Sequence, residues 1–170
     1  AMFLSAIVYA GSLASTAGIT LVEGLTWLRP GNVMAPLLGY IFGMPGCVGV
    51  ALGNLLADSF SGYYTVASFG GFLGNFMLAY IPYRVLSDPP LRQVKGVVRY
   101  FVFVGVGSTL ACAYVIVGLL DLVSSAGITY PIPVLGRVPT PIEVLGEDAL
   151  WGSLFTIIAT NDFVRSLSAG

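Results

Sequence analysis

Charge disappears from this chain over long distances. Between Gly31 and Ala57 there is no Asp, Glu, Lys or Arg, and after Asp58 none follows until Arg84. In water such runs would expose more apolar surface than one domain of this size can hide, whereas a bilayer selects them. Six apolar segments follow from the pattern: Met2–Leu21, Val33–Met44, Gly46–Phe60, Val66–Leu86, Val97–Val123 and Val144–Leu167. They predict an all-α integral membrane protein, a six-helix transmembrane bundle forming a single domain over residues 1–170. The second and third segments, 12 and 15 residues long, are short for a hydrocarbon core about 30 Å thick. Joined across Pro45-Gly46, they read either as two tilted spans or as one re-entrant hairpin, and both return the chain to the same side.

Basic residues set the orientation. Arg84, Arg92, Lys95 and Arg99 lie in and around the connection between the fourth and fifth segments, which places that connection in the cytoplasm. Counting outward, both termini are cytoplasmic. The loops Val22–Asn32, Ser61–Thr65 and Ser124–Glu143 are external. The outer side then carries Glu23, Asp58, Asp121, Glu143, Glu147 and Asp148 against Arg29 and Arg137, an excess of negative charge facing incoming solutes.

Small residues recur at four-residue spacing: Gly39/Gly43, Gly49/Gly53, Gly70/Gly74 and Gly107/Ala111. In lipid, helices associate where small side chains let backbones approach, so these faces are expected to meet within one bundle. Ala6, Ala10 and Ala14 form a longer stripe on the first segment, open to two readings: an internal packing face or a docking face for another subunit. Gly49-Val50-Ala51-Leu52-Gly53-Asn54 and Gly70-Gly71-Phe72-Leu73-Gly74-Asn75 form a weak internal repeat. It sets Asn54 and Asn75 at similar depth, where the two amides can bond each other.

Composition narrows the chemistry. With no histidine in 170 residues, Ser-His and Cys-His nucleophilic sites and HExxH zinc sites are excluded. Cys47 and Cys112, far apart in apolar segments, read as small core residues rather than a disulfide or metal pair. No GxxxxGK[ST] loop is present, so ATP hydrolysis is not expected of this chain, and no metal or cofactor is called for. The first residues carry no basic n-region of a secretory leader. Nothing points to nucleic acid or to an enzyme; in particular, no GxGD motif of intramembrane aspartyl proteases occurs.

The polar residues inside apolar segments carry the functional question. Asn54 and Asp58 share a helical face. Asp58 reads as a boundary cap or as a ligand contact, and Asn54 and Asn75 as a structural amide pair or as the floor of a site. Glu147 and Trp151, four apart at the start of the sixth segment, suit either helix capping or a carboxylate–indole receptor for a ring-bearing ligand. Trp27, Arg29 and the proline-rich loop Ser124–Glu143 would cover such a site from outside.

Arg29-Pro30-Gly31-Asn32, Pro36-Leu37-Leu38-Gly39, Phe42-Gly43, Gly53-Asn54-Leu55-Leu56-Ala57-Asp58, Gly74-Asn75 and Tyr80-Ile81-Pro82 together resemble the substrate-binding S components of energy-coupling factor transporters. Size, segment number and the alanine stripe agree. The resemblance implies a binding subunit of a prokaryotic plasma membrane that captures a vitamin-like micronutrient at its outer face. The alanine face would dock on a transmembrane coupling subunit, and cytoplasmic ATPases would drive release. Metal-uptake members of that group use an N-terminal histidine, absent here. The competing reading is a membrane sensor or anchor module of a signalling protein.

The topology is testable with Ser87→Cys in a chain whose Cys47 and Cys112 are replaced by alanine. A membrane-impermeant thiol reagent is expected to label this site only after cells are permeabilised. Labelling in intact cells would reverse the orientation.

Overall fold

A computed structural model describes residues 1–15, 19–22, 26–28, 30–61, 64, 67–86, 94–125, 152, 155–156 and 158–159, with the backbone alone for 19–22, 26–28, 30, 67 and 123–125. Its elements, in chain order, are α1 (Met2–Ser15), β1 (Ile19–Val22), β2 (Thr26–Leu28), a 3-10 turn (Pro30–Val33), α2 (Met34–Phe42), α3 (Met44–Phe60), α4 (Ala67–Val85), α5 (Val94–Arg99), a π-helical stretch (Tyr100–Ser108) and α6 (Thr109–Ser125). The architecture is a helical bundle bearing one small hairpin.

Two sequence expectations need correction at the start of the chain. The first helix ends at Ser15 rather than Leu21, and the expected external loop is partly a two-stranded antiparallel sheet. Ile19 pairs with Leu28, Thr20 with Trp27 and Val22 with Thr26, with the register broken between Thr20 and Val22. The reason is local. Ile19, Thr20 and Val22 are β-branched, and glycines at positions 18 and 24 of the sequence bracket them, so strand is favoured over helix.

The second and third segments become two helices joined by the single residue Gly43, which is the C-cap of α2 and the N-cap of α3. Its φ of 65° lies in the left-handed region, which costs glycine nothing and other residues strain. Pro45 then falls in the first turn of α3, where its missing N–H has no helical partner to lose. At 1.5 Å per residue, α2 is about 14 Å long, α3 about 26 Å and α4 about 28 Å.

Glycine sets how these helices meet. A Cβ on Gly49 would lie 2.5 Å from the Met2 carbonyl oxygen and 2.6 Å from Ser5 Cβ; one on Gly53 would lie 2.7 Å from the Ala6 carbonyl oxygen. α1 and α3 therefore run parallel at backbone contact. Gly39 meets the Ala79 carbonyl in the same way, so α2 lies against α4, and Gly46 meets the Leu38 carbonyl, closing α2 onto α3. Gly74, on the other side of α4, faces Cys112 Sγ and Ile116 of α6. α4 is thus central, bounded by α2, α3, the π-helical stretch and α6.

The alanine stripe is consumed by this packing. Ala6 and Ala10 are buried at 3% and 8% exposure, while Ala14 is exposed. Ala6 lies against the glycines of α3, so Ala6 and Ala10 are not available as a docking surface. The outward stripe of α1 carries Phe3, Leu4 and Ile7 instead. Ser5, fully buried on the same seam, has its hydroxyl without a hydrogen-bond partner among the described residues, a cost of about 1–3 kcal/mol set against close approach.

The largest cluster of buried apolar residues gathers Tyr9, Leu13, Ala35, Leu38, Cys47, Val50, Ala57, Leu78 and Ala79 from α1 to α4. A second joins Ala113, Val117 and Leu120 of α6 to Ile158, with Phe155 and Ala159 packed against it. This fixes where the described part of the sixth segment sits. The π-helical stretch contains Gly105 and Gly107, and Ser108 Oγ donates to the Val104 carbonyl. Val94–Leu122, 29 residues, is the one helix among the described residues long and apolar enough to cross a membrane by length and composition.

Gly39 and Gly11 make a controlled comparison. Gly39→Ala is expected to destabilise the fold by about 1–3 kcal/mol, because a backbone carbonyl blocks the new methyl. Gly11→Ala, with nothing within 4 Å, is expected to stabilise by about 0.5–1 kcal/mol through lost backbone freedom in the unfolded chain. Thermal unfolding of the two variants in detergent measures the contrast.

Candidate functional site

A tyrosine from α1 organises the polar interior. Tyr9 follows Ser5 and Ala6 by one helical turn, so it shares the face that α1 turns toward α3, and its exposure is zero. Its ring packs into the apolar cluster while its hydroxyl reaches across to α4. The hydroxyl donates to Asn75 Oδ1 at 2.5 Å. Asn75 Nδ2 in turn donates to the Gly71 carbonyl oxygen at 2.8 Å, which fixes the orientation of that amide.

Asn32, from the 3-10 turn, brings its side-chain amide to 3.1 Å from the same hydroxyl. A phenol has a single proton, and Asn75 takes it. All three groups are satisfied when the Asn32 amide is turned so that its nitrogen donates to the phenol oxygen. Ser12 ties the rim together: its hydroxyl donates to the Tyr9 carbonyl at 2.7 Å and lies 3.3 Å from the Gly31 carbonyl. Three separate stretches of chain are thereby bonded side chain to side chain inside one end of the bundle.

Asn54 approaches the same end from α3. It is 8% exposed, and its Nδ2 donates to Asp58 Oδ2 one turn later at 3.3 Å. Across from it stands Gly71, where a Cβ would fall 2.7 Å from Asn54 Nδ2. Asn54 and Asn75 thus face one polar interior, but the direct amide pair anticipated between them does not form. The reason lies in their neighbours: Tyr9 offers Asn75 a stronger O–H donor, and Asp58 holds Asn54 on its own helix.

Charge is segregated along the bundle axis. Met2 of α1 meets Gly49 near the start of α3, and Gly70 of α4 meets Ile116 of α6, so Asp58 and Asp121 fall at the same end as Asn54. Arg84, Lys95 and Arg99 are exposed at the opposite end, beside the cluster of Leu86, Tyr100 and Val104. These five are all the charged side chains among the described residues, acids at one end and bases at the other.

Of the residues proposed from sequence for ligand binding, Asn54, Asp58 and Asn75 come together at this end. Arg29, Glu147 and Trp151, and the side chain of Trp27, lie outside the described residues, as does most of the loop Ser124–Glu143. Sequence reasoning missed Tyr9 and Asn32. Tyr9 had a signal: a phenol amid Ala6, Ala10 and Ile7 needs a partner once buried. Asn32 had none, because its partner is 23 positions away and on another helix. Among the described residues no group of three or more acidic or cysteine side chains is placed to hold a metal ion.

No protein family model, curated protein or solved structure matches the chain.

The network has a measurable cost of disruption. Tyr9→Phe leaves Asn75 Oδ1 buried without its donor and is expected to destabilise by about 1–3 kcal/mol. Asn75→Leu removes the other half, and the double variant should lose less than the sum of the two. A double-mutant cycle from unfolding in detergent supplies the coupling energy. Strict additivity would show that the two groups do not act as a pair.

Proposed function

We propose that this protein is the membrane-embedded substrate-binding subunit of an energy-coupling-factor type importer in a prokaryotic plasma membrane. In this reading it is a six-span bundle with both termini in the cytoplasm. It captures a small vitamin-like molecule at its outer, acidic end and hands it to a coupling subunit driven by cytoplasmic ATPases. The observation that carries the reading is the gathering of Tyr9, Asn32, Asn54, Asp58 and Asn75, from four parts of the chain, inside one end of an otherwise apolar bundle.

The exterior supports the bilayer part of the proposal. Phe60 is 81% exposed, Phe3 74% and Ile7 68%, while Asn54, Asn75, Ser108 and Thr109 are buried. Such a surface is costly in water and favourable in lipid. Segregated charge supports the orientation: Arg84, Lys95 and Arg99 at one end obey the positive-inside preference if that end is cytoplasmic. The opposite end, with Asp58 and Asp121, then faces outward and receives the ligand. Docking to the coupling subunit, in this reading, falls to the Phe3, Leu4 and Ile7 stripe of α1, since Ala6 and Ala10 are buried.

Native mass spectrometry of gently purified protein is expected to reveal one small molecule retained per chain. Asn54→Ala should release it, while Gly11→Ala should not. Purified wild-type protein that carries no such molecule, and that fails to take up any in the presence of the partner subunits, would overturn the proposal.

A further inference from the structure

We infer that the basic end of the bundle is hinged. The last turn of α4, residues 83–86, and α5 swing together about an axis through Pro82 and the π-helical stretch, while the end that carries the Tyr9–Asn75 bond stays fixed.

Two breaks in regular α-helical bonding fall at one height. Pro82 lies inside α4 and has no N–H, so the Leu78 carbonyl loses the donor that a helix would give it. Against α4 lie nine π-helical residues, Tyr100 to Ser108. That geometry is rare, mostly confined to single turns and frequent at functional sites. The heights follow from the packing register. Gly70 of α4 faces Ile116, Gly74 faces Cys112, and Leu86 packs with Tyr100 and Val104. Four residues onward in α4 thus match four residues back in the other helix. Pro82 therefore stands opposite Val104, in the middle of the π-helical stretch, and Leu78 opposite Ser108. All four are buried. Helices bend at prolines and at π-helical insertions, and two packed helices can bend together only where such points are level.

What lies beyond the breaks is held lightly. α5 buries only Gly96, and Val94 is 80% exposed. Leu86, Tyr100 and Val104 form a cluster of their own, separate from that of α1 to α4 and from that of α6. A unit with so few buried contacts opens at a lower free energy than the whole bundle. Arg84, Lys95 and Arg99 all ride on it and are exposed, so a swing buries no charge. The far part of α4 is anchored: Gly74 is backed by Cys112 and Ile116, and Asn75 is bonded to Tyr9.

Hydrogen–deuterium exchange of the full chain in detergent, read by mass spectrometry, tests the hinge. Backbone amides of 83–86 and 94–108 are expected to exchange at one common rate, at least about ten-fold faster than those of 46–58 and 110–120. Leu86→Ala removes a member of the small cluster and should speed both pieces together, leaving 46–58 unchanged. Pro82→Ala gives the Leu78 carbonyl a donor and should slow exchange at 100–108, on the other helix. Gly107→Ala, whose methyl meets only the Val102 carbonyl oxygen at 3.4 Å, restricts the π-helical side and should slow 83–86 in turn. Exchange at 100–108 as slow as at 110–120 overturns the hinge. So does a rate that climbs residue by residue toward Leu86 and Val94, which is the signature of fraying helix ends. If Pro82→Ala and Gly107→Ala each leave the opposite helix unchanged, the two breaks act separately and the inference falls.

Discussion

Backbone-to-backbone contact between helices is the constraint on which this structure depends. At Gly49 and Gly53 the seam between α1 and α3 has no space for a methyl group, and the same holds where Gly39 of α2 meets the Ala79 carbonyl of α4. The hydrogen bond from Tyr9 to Asn75 crosses from α1 to α4 and is 2.5 Å long. A displacement of either helix by the width of a methyl group would stretch it beyond bonding distance. Packing by small residues and the polar interior are therefore two consequences of one geometry.

The bundle carries large apolar side chains on its exterior as well as in its core. Large apolar residues such as Phe60, Phe3 and Leu122 project outward, while the interior adds Ser5, Ser108, Thr109 and three asparagines to a core of apolar side chains such as Tyr9, Leu78 and Val117. In the proposed bilayer setting, helices gain from dispersion and interhelical hydrogen bonds rather than from expelling water. That is why an apolar exterior and a partly polar interior occur together here. It is also why the interior bonds are nearly complete: in a low-dielectric setting a half-satisfied network costs more than an apolar core.

The two ends have different characters. At the basic end, Gly43 reverses the chain between α2 and α3 in one residue. At the acidic end, α1 leads into a hairpin and the 3-10 turn of Pro30–Val33 carries Asn32 back over Tyr9. Chain that leaves the bundle and returns to it can surround a ligand, whereas a one-residue turn cannot. The difference agrees with a binding role for the acidic end.

Particular residues show how far the sequence reaches. The absence of charge from Gly31 to Ala57 was enough to mark apolar helices there, and the four-residue glycine spacing was enough to mark their contact faces, because both depend only on local helical geometry. Asn54, Asp58 and Asn75 stood out because polar groups in apolar segments are costly wherever they lie. The sequence did not reveal that β-branched residues would turn the end of the first segment into strand, or that Ala6 and Ala10 would face inward rather than toward a partner. Nor did it reveal that Asn75 would bond Tyr9 instead of Asn54. The strand has a local cause, but the other two outcomes hinge on which helices become neighbours and at what height. A periodic face says that a helix has a contact, but only the assembled bundle selects the partner, since any sufficiently small face can pack against any other. Pairing Tyr9 with Asn75, 66 positions apart, was decided by tertiary structure alone.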